Sequence, residues 1–307
     1  MDRQAVTLSQ SLITSKPVLE DISIVIPTLG RPILEQSLFR IASGSAWPGK
    51  LIIVDQGARP EVADWVGQLR SAGLMAEHVP SSQRGRAAGV NRGLERFETQ
   101  FVAITDDDCF VDSNWLANLT NCLRKSPVAI VTGRVEAAGE NTQIVVTSTT
   151  PQIYRRPRLK FDAMSGGNMG TARAVIERVG LFDEDLRLRT AEDAEWSYRA
   201  LRNEIPIIYD PAVSVQHYGW RDQSGRADQY RGYARSHGGF YGKYIRKGDL
   251  FILVRAAVHH YRALRWWARG KLSGNVELAL QGRAYFTGLL PGMIAGFRAG
   301  KQTGISV

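Results

Sequence analysis

The sequence predicts an α/β protein with a doubly wound, mostly parallel central sheet, flanking helices and a basic helical appendage at its C-terminal end. Three observations support this. Short runs rich in β-branched residues alternate with helical segments over the first part of the chain. The 307 residues suffice for one large domain with an appendage, or for two domains. After position 220, 15 lysine and arginine residues face only four acids, whereas the whole chain carries +9.

Three apolar runs in the N-terminal part predict strands that are buried on both faces: ISIVIP at 22–27, KLIIVD at 50–55 and FVAIT at 101–105. Helical segments are predicted between and after them, at roughly 33–43, 60–72 and 84–97. In doubly wound sheets, ligands bind beyond the carboxyl ends of the strands. The residues that follow the strands are therefore expected to line one crevice: Pro27, Thr28, Asp55, Gln56 and Asp106 to Asp108.

The following part of the chain is less regular. Residues 136–165 are predicted to form a loop or an edge strand, and SGGNMG at 165–170 a glycine-rich turn before a helix that begins near Ala172. A helix from about Ala191 to Arg202 is predicted next. Two strands complete the region, at 205–209 and 212–217.

Three consecutive carboxylates follow the strand at 101–105. In an extended segment alternate side chains share a face, so Asp106 and Asp108 are expected to converge while Asp107 points away and supports the turn. Two convergent carboxylates without a neighbouring lysine or arginine suit a hard cation, Mg²⁺ or Mn²⁺. A solvated acidic turn is the alternative.

A second acidic cluster lies in RTAEDAEWSYRAL at 189–201, where Glu192, Asp193 and Glu195 fall in the first turn of a predicted helix. Acids stabilise helix N-termini through the helix dipole, which is a purely structural explanation. A carboxylate aimed into the crevice would instead serve as a general base. His217 ends the strand AVSVQH, either as a structural histidine or as a ligand that suits Mn²⁺ better than Mg²⁺.

Arginines surround a glycine in SSQRGRAAGVNRG, near the start of the helix at 84–97. Arg84, Arg86 and Arg92, together with helix N-terminal amides, favour phosphate, although a basic helix surface is the alternative. The sequence contains no GxxxxGK[ST] loop, no GxGxxG after the first strand, no GxSxG and no HExxH. Cys109 and Cys122 have neither disulfide-framework nor metal-site spacing, which predicts a reducing compartment.

Six segments in this order resemble the motifs of family 2 glycosyltransferases, enzymes with the GT-A nucleotide-sugar fold and its Rossmann-like sheet. They are ISIVIPTLGRP, LIIVDQG, QRGRAAGVNRG, ITDDDC, SGGNMG and AEDAEW. Each motif is weak alone, but six in the correct order are specific. The resemblance extends from about Ile22 to Tyr218, close to two-thirds of the chain.

The resemblance implies a role for each matching residue. Asp193 would be the catalytic base with Glu192 beside it, and Asp108 and His217 would hold the metal. Donor binding is implied for Pro27, Thr28, Arg31, Asp55, Arg86, Asn91, Asp106 and Asp107, and acceptor binding for Gly167, Asn168 and Trp196.

The implied reaction is an inverting transfer of a sugar from a nucleotide-diphosphate sugar to a hydroxyl group. The acceptor would be a lipid-linked or surface-polysaccharide precursor, and the cofactor Mn²⁺ or Mg²⁺. Gln56 stands where the family usually has an acid, which leaves the nucleotide base open, and the QxxRW signature of processive synthases is absent. Two other classes stay open: a metal-dependent phosphotransfer hydrolase, although Phe110 departs from its motif, and a non-catalytic membrane-peripheral adaptor on a transferase scaffold.

The predicted domains are residues 1–220, catalytic, and 221–307, basic and helical. Within LFILVRAAVHHYRALRWWARGK, apolar residues recur at helical spacing: Leu253, Ala257, Tyr261, Leu264 and Trp267 or Ala268. AYFTGLLPGMIAGF at 284–297 is expected to be broken by Pro291. This region would either pack on the catalytic domain or a second copy, as in a homodimer, or bind an anionic membrane surface.

Two absences in the sequence bear on location and partners. MDRQAVTLSQSLITSKP lacks the apolar core of a secretory leader, and no run of eighteen apolar residues occurs. We therefore expect a cytoplasmic protein, which would lie peripherally at the inner face of the membrane in the case that its basic helical region binds lipid. No nucleic-acid-binding motif accompanies the basic charge, so nucleic acid is not an expected partner.

Overall fold

A computed structural model describes residues 16–139, 146–219 and 225–299. The start of the chain, where no leader was predicted, and part of the irregular stretch after position 136 lie outside these residues. The described residues form two compact units. A sheet unit falls within Met1–Arg156, Ala163–Phe182 and Arg199–Trp220, and a helical unit within Pro157–Asp162, Asp183–Tyr198 and Arg221–Val307. The predicted boundary at residue 220 remains a prediction.

Within the described residues, the sheet unit contains one nine-stranded sheet. Its strands are β1 (Val18–Thr28), β2 (Trp47–Asp55), β3 (Ala76–Pro80), β4 (Phe101–Thr105), β5 (Cys109–Val111), β6 (Ile130–Ala138), β7 (Gln152–Tyr154), β8 (Asn168–Ala172) and β9 (Ile207–Tyr218). Their order is β3-β2-β1-β4-β8-β6-β9-β5, and β7 pairs with β9. The three predicted N-terminal strands are present and, with β3, pair in parallel.

Beyond β4 the sheet is mixed rather than mostly parallel. The predicted glycine-rich turn SGGNMG continues directly into β8, which lies antiparallel between β4 and β6. The two strands predicted at 205–209 and 212–217 are one strand, β9, whose register against β6 shifts after Gly133. Periodicity identifies an extended segment, but it does not specify which strand will be its neighbour.

The helices of the sheet unit pack through narrow apolar stripes. These helices are α1 (Ile33–Ala42), α2 (Pro60–Ser71), α3 (Arg86–Leu94), α4 (Trp115–Lys125) and α5 (Arg173–Val179). The buried residues of α1 include Leu34, Leu38 and Ile41, and those of α2 are Val62, Val66 and Leu69. Both sets have the i, i+4, i+7 spacing of one helix face. The next helix, α6 (Glu192–Arg202), begins within the helical unit.

The helical unit is built on three long helices: α7 (Arg226–Arg246), α8 (Leu250–Ser273) and α9 (Val276–Ala299). Glycines let α7 and α9 approach each other closely. A Cβ atom added to Gly242 would lie 2.0 Å from the backbone oxygen of Met293, and one added to Gly296 would lie 2.1 Å from that of Gly239. No side chain fits at these points.

Pro291 does not break the C-terminal helix, contrary to the prediction. Helix α9 continues through Pro291 to Ala299. Gly288 and Gly292, on either side of the proline, both abut α7. This packing on α7 outweighs the cost of about 3 kcal/mol that a proline imposes on a helix interior.

A cluster of polar side chains lies between α7, α8 and the segment Pro157–Asp162. Arg255 and His237 both contact the carboxylate of Asp162. Burial works against charge on Asp162, but Arg255 and His237 hold its pKa well below the usual value. The Tyr241 hydroxyl lies 3.0 Å from Nδ1 of His259, and burial lowers the pKa of His259 to about 3.

We expect Gly242→Ala to destabilise the protein by about 2 kcal/mol, because overpacking at a close helix contact forces the backbones apart. Gly232 on the same helix has no neighbour within 4 Å of an added Cβ. Gly232→Ala should therefore stabilise the protein by about 0.5–1 kcal/mol through helix propensity. Urea unfolding measures both changes, and equal effects of the two substitutions would contradict glycine-mediated packing.

We expect His259 to make the protein less stable in acid. Its folded pKa of about 3 lies below the ordinary value, so between pH 6.5 and 3 the unfolded chain binds more protons than the folded chain. The free energy of unfolding should fall by at most about 2 kcal/mol between pH 6.5 and 5. His259→Gln should remove that part of the slope in urea unfolding at several pH values. An unchanged slope in the variant would contradict burial of a neutral imidazole.

Candidate active site

The carboxyl ends of β1, β2 and β4 lie at one edge of the sheet, as predicted. Thr28 at the end of β1 is aligned with Asp55 at the end of β2, and the amide of Gln56 donates to the carbonyl of Thr28 at 2.8 Å. Pro27 is buried, and a Cβ added to Gly89 of α3 would lie 2.7 Å from its Cβ. The end of β1 is thereby fixed between β2 and α3.

The acidic triplet forms a turn between β4 and β5, not an extended segment. Asp106 and Asp108 consequently have different partners. The Asp106 carboxylate accepts from Nε of Arg86 at 2.7 Å, and the Asp108 carboxylate accepts from Nη2 of Arg31 at 3.0 Å. The expectation that no cation neighbours this pair is wrong. The two arginines come from distant parts of the chain, so the local sequence does not reveal them.

Asp107 is buried and connects the turn to β1 and α1. Its carboxylate accepts from Oγ1 of Thr28 at 2.7 Å and from the guanidinium of Arg31, and its backbone carbonyl accepts from Oγ of Ser37 at 2.7 Å. Burial opposes charge on Arg31, but Asp107 and Asp108 raise the pKa of Arg31 above its usual value. These contacts give Asp107 the supporting role predicted for it, and its role in donor binding stays a prediction.

Asp108 and His217 offer ligand atoms for a cation. Cys109 in β5 is aligned with His217 in β9, and the amide of Tyr218 donates to the carbonyl of Asp108 at 2.8 Å. The ligand atoms of Asp108, Cys109 and His217 lie within 4.8 Å of one another. Burial raises the pKa of the Cys109 thiol well above its ordinary value, and only a thiolate is a good ligand.

The carboxylate of Asp108 and the imidazole of His217 remain, and both are ligand types that suit Mn²⁺. The residues present are therefore compatible with the predicted metal. The position of Cys109 beside Asp108 and His217 was not predicted from the sequence. The β5–β9 pairing that creates it joins segments about a hundred residues apart.

The predicted phosphate-binding and acceptor-binding segments adjoin each other. A Cβ added to Gly166 would lie 2.9 Å from Nη1 of Arg86, and one added to Gly167 would lie 2.8 Å from Oδ2 of Asp106. The Arg86–Asp106 ion pair therefore packs directly against the glycine-rich segment. Arg92 instead pairs with Glu95, and both side chains are exposed. This position agrees with the alternative prediction, in which Arg92 belongs to a basic helix surface.

Asp55 and Gln56 shape the loops after β2 and β3. The Asp55 carboxylate accepts from the amides of Gly57 and Arg59 and lies 3.2 Å from Nε2 of His78. Nε2 of Gln56 donates to the carbonyls of Gln83 and Gly85, at 2.6 and 2.8 Å. A carboxylate at position 56 could not donate these two hydrogen bonds. Gln56 thus orders the segment that precedes α3.

Two asparagines predicted to bind substrates also make structural contacts. The side-chain amide of Asn91 donates to the carbonyl of Phe182 and accepts from its N–H, both at 2.9 Å. Asn168 is fully buried. Its Nδ2 donates to the carbonyls of Arg134 and Val213, and its Oδ1 accepts from Nε1 of Trp115. These bonds join the strands and helices around the site, and the substrate roles of both residues stay predictions.

The second acidic cluster lies in the first turn of α6, as predicted. Asp193 is half-buried, and one oxygen of its carboxylate accepts from the amide of Ala194 at 2.8 Å. Glu192 and Trp196 are buried. Glu195 accepts a hydrogen bond from the hydroxyl of Tyr244 at 2.6 Å, which ties α6 to α7. The proposed roles of Asp193, Glu192 and Trp196 stay predictions.

The described site lies within a segment that matches a known protein family. Residues 23–182 match the sequence profile described as "Glycosyl transferase family 2", which is more than half of the chain. The chain belongs to glycosyltransferase family 2. The matched segment contains the acidic turn and SGGNMG, and it ends before AEDAEW at 191–196. Membership of this family confirms the resemblance and disfavours a phosphotransfer hydrolase.

Two curated proteins resemble the chain over part of their length. The chain is 27% identical over 214 residues to the pre-mycofactocin glycosyltransferase of Mycobacterium tuberculosis, a match that covers 66% of the chain and 44% of that protein. It is 23% identical to glycosyltransferase AglE of Haloferax volcanii, over 58% of the chain and 60% of that protein. The chain thus spans about half the length of these relatives.

Solved structures share the fold of this family 2 chain at low sequence identity. The mannosyltransferase PcManGT from Pyrobaculum calidifontis, in complex with GDP-Man and Mn²⁺, aligns over 95% of the chain and 89% of its own, with a TM-score of 0.56 and 18% identity. S. aureus TarS 1–349 aligns over 91% of the chain and 92% of its own, with a TM-score of 0.57 and 13% identity. These neighbours confirm the predicted GT-A fold.

In the parts of the chain that the structure describes, no helix combines sufficient length with sufficient apolar character to cross a bilayer.

We expect Asp107→Asn to lower the free energy of unfolding by about 2 kcal/mol, because it leaves the partly buried charge of Arg31 without its closest partner. Asp21 supplies a matched control, since it pairs with Arg124 at 2.7 Å on the surface. Asp21→Asn should cost no more than about 1 kcal/mol. Chemical unfolding of both variants measures the difference, and equal losses would contradict a supporting role for Asp107.

Proposed function

We propose that this chain is a metal-dependent, inverting glycosyltransferase. It would move a sugar from a nucleotide-diphosphate sugar to a hydroxyl group of a lipid-linked or surface-polysaccharide precursor. The observation that carries the proposal is the convergence of the Asp108 carboxylate and the His217 imidazole, next to an arginine-lined acidic turn, in a family 2 chain.

Asp108 and His217 would hold the divalent cation. When bound, the cation supplies positive charge that stabilises the diphosphate leaving group. An imidazole ligand favours Mn²⁺ over Mg²⁺, which prefers oxygen ligands and water. Mn²⁺ is also the ion in the complex of the mannosyltransferase neighbour, which supports this choice.

Donor binding is assigned to the residues around the acidic turn. Arg86 and Arg31 carry positive charge at the edge where β1 and β4 end, and guanidinium groups bind phosphate oxygens in a planar, bidentate manner. Asp106 would accept hydrogen bonds from the ribose hydroxyls, and Asp55 would lie near the base. The nucleotide base is left open, because Gln56 replaces the usual acid.

The chemical step is a single displacement at the anomeric carbon. The acceptor oxygen forms the new bond as the bond to the diphosphate breaks, and the electron pair of that bond leaves with the nucleoside diphosphate. The proton of the acceptor hydroxyl passes to the carboxylate of Asp193, with Glu192 beside it. Asp193 is half-buried in the first turn of α6, which leaves its carboxylate partly shielded from water.

The acceptor side and the location of the protein follow from the basic C-terminal region. Fifteen basic residues against four acids after position 220 suit an anionic membrane surface, where lipid-linked precursors are presented. Gly167, Asn168 and Trp196 would contribute to acceptor binding. We therefore place the protein in the cytoplasm, at the inner face of the membrane, and a homodimer is compatible with the same region.

We expect Mn²⁺ to be required for donor binding. In a thermal-shift panel of UDP- and GDP-sugars, one donor should raise the melting temperature with Mn²⁺ and not without it. Binding at a hundredfold excess over Kd corresponds to about 2.7 kcal/mol of stabilisation. Asp108→Asn should lose the shift, whereas Asp193→Asn should keep it and lose at least about a hundredfold in nucleoside diphosphate release with glycan or lipid-linked acceptors.

Glu184→Gln is the matched control for Asp193→Asn, because Glu184 is an exposed acid shortly before the same helix. The control should retain both donor binding and transfer. Full transfer by Asp193→Asn would remove its assignment as the base. No metal-dependent shift with any nucleotide sugar would refute the donor proposal as a whole.

A further inference from the structure

Helix α8 presents an apolar face to solvent along its whole length. The residues on this outer face are exposed: Leu250, Leu253, Val254, Ala257, Tyr261, Leu264, Ala268 and Leu272. At about 100° per residue, all eight lie within about 60° of one line along the helix. The exposed fractions are 75% for Leu250, 60% for Tyr261 and 89% for Leu272. The apolar stripe predicted from the sequence is therefore not the packed side of the helix.

The packed side of α8 is the opposite one. Ile252, Ala256 and Ala263 are buried there, and a Cβ added to Gly270 would lie 2.3 Å from the backbone nitrogen of Ala279 in α9. The packing of the helical unit thus uses the opposite side of α8 and does not involve the outer face. An exposed, continuous apolar surface of this kind marks a contact with something other than the folded unit itself.

Basic residues flank the outer face, and the sequence of α8 contains no aspartate or glutamate. Arg265 and Arg269 are exposed along one border and Lys271 along the other. The guanidinium of Arg265 lies 5.9 Å from the ring centre of Tyr261. Its charge therefore lies close to the apolar face and does not extend away from it.

A second basic and apolar segment is attached to the same helix. In the segment 158–161, RLKF, all four residues are exposed, and basic residues alternate with apolar ones. Its Lys160 carbonyl accepts a hydrogen bond from Arg262 of α8, and the following residue, Asp162, pairs with Arg255. The segment is thus anchored to α8 and adds two cations, Arg158 and Lys160.

We propose that the outer face of α8, together with the segment 158–161, is the surface by which this protein rests on an anionic phospholipid bilayer. The apolar face would enter the boundary between headgroups and acyl chains, with the helix in the membrane plane, while the flanking cations contact lipid phosphates. Along its axis the face measures about 33 Å. The proposal rests on the membrane location given above and is independent of the transfer chemistry.

Charge favours a bilayer over a second copy of the chain as the occupant. Two copies of this face would bring Arg265, Arg269 and Lys271 near their equivalents, with no acid in α8 to pair with them. Like charges at a contact oppose association. An anionic surface complements the same residues and also accepts the apolar stripe between them.

Vesicle sedimentation of the full chain tests the proposal. The protein should bind vesicles of phosphatidylcholine and phosphatidylglycerol in equal parts, bind pure phosphatidylcholine much more weakly, and lose affinity as salt is raised. Leu253→Asp combined with Leu264→Asp should weaken binding at least about tenfold. Arg265→Gln combined with Arg269→Gln should weaken it about tenfold or more, at roughly fivefold per cation.

Two control variants match these changes away from α8. Met75 is an exposed apolar residue and Arg40 an exposed cation in the sheet unit, so Met75→Asp and Arg40→Gln should bind vesicles as the wild type does. Circular dichroism and thermal unfolding establish that each variant is folded. The donor-induced thermal shift should be unchanged in all of them, which separates failure of membrane binding from failure of the proposed transferase function.

Absence of vesicle binding by the folded wild type would overturn the proposal. Equal loss of binding in the control variants would overturn it as well. If analytical ultracentrifugation shows a dimer that Leu253→Asp with Leu264→Asp converts to a monomer, and vesicle binding is absent, then the face is a contact between two copies.

Discussion

The hydrogen bonds of the buried residue Asp107 hold together the edge of the sheet at which the candidate site lies. Its carboxylate accepts hydrogen bonds from Thr28, at the end of β1, and from Arg31, in the loop after β1, while its carbonyl accepts one from Ser37 in α1. A carboxylate removed from water requires such partners, because an unpaired buried charge costs several kcal/mol. The same contacts fix the backbone of the turn, and they thereby determine where the neighbouring acids, Asp106 and Asp108, direct their side chains.

This arrangement gives the site a definite charge. The three carboxylates of the turn and the guanidinium groups of Arg31 and Arg86 together carry one net negative charge. A divalent cation held by Asp108 and His217 would reverse the sign to one net positive charge. A diphosphate group would then be attracted only when the cation is present, and this charge balance is the physical basis of the metal-dependent donor binding that we propose. Arg31 contacts both Asp107 and Asp108, so the supporting carboxylate and the carboxylate of the proposed metal ligand share one counter-ion.

Local patterns predicted much of the fold but not how its parts pair. The strands β1, β2 and β4 and the helices α1 and α2 were predicted within a few residues, because apolar periodicity is a property of short segments. The central position of β8 and the joining of two predicted strands into β9 depend on partners far away in the sequence. The same distinction applies to the site. Asp108 and His217 were identified from motifs as candidate metal ligands, a role that stays a prediction. The arginine partners of Asp106 and Asp108 arise only through tertiary contacts and were not predicted.

In the helical unit, small residues make the close contacts between helices, whereas several large apolar residues are exposed to solvent. The closest helix contact is made by glycines, such as Gly242 against Met293, where backbones meet and no side chain fits. Large apolar residues such as Leu253 and Leu264 are left outside on α8 and contribute little to folding. In an isolated soluble domain this distribution would expose apolar surface with no compensating burial, and the bordering arginines would repel a second identical surface. A partner that is both apolar and anionic satisfies the two features together, and a phospholipid headgroup region has both properties within the thickness of one helix.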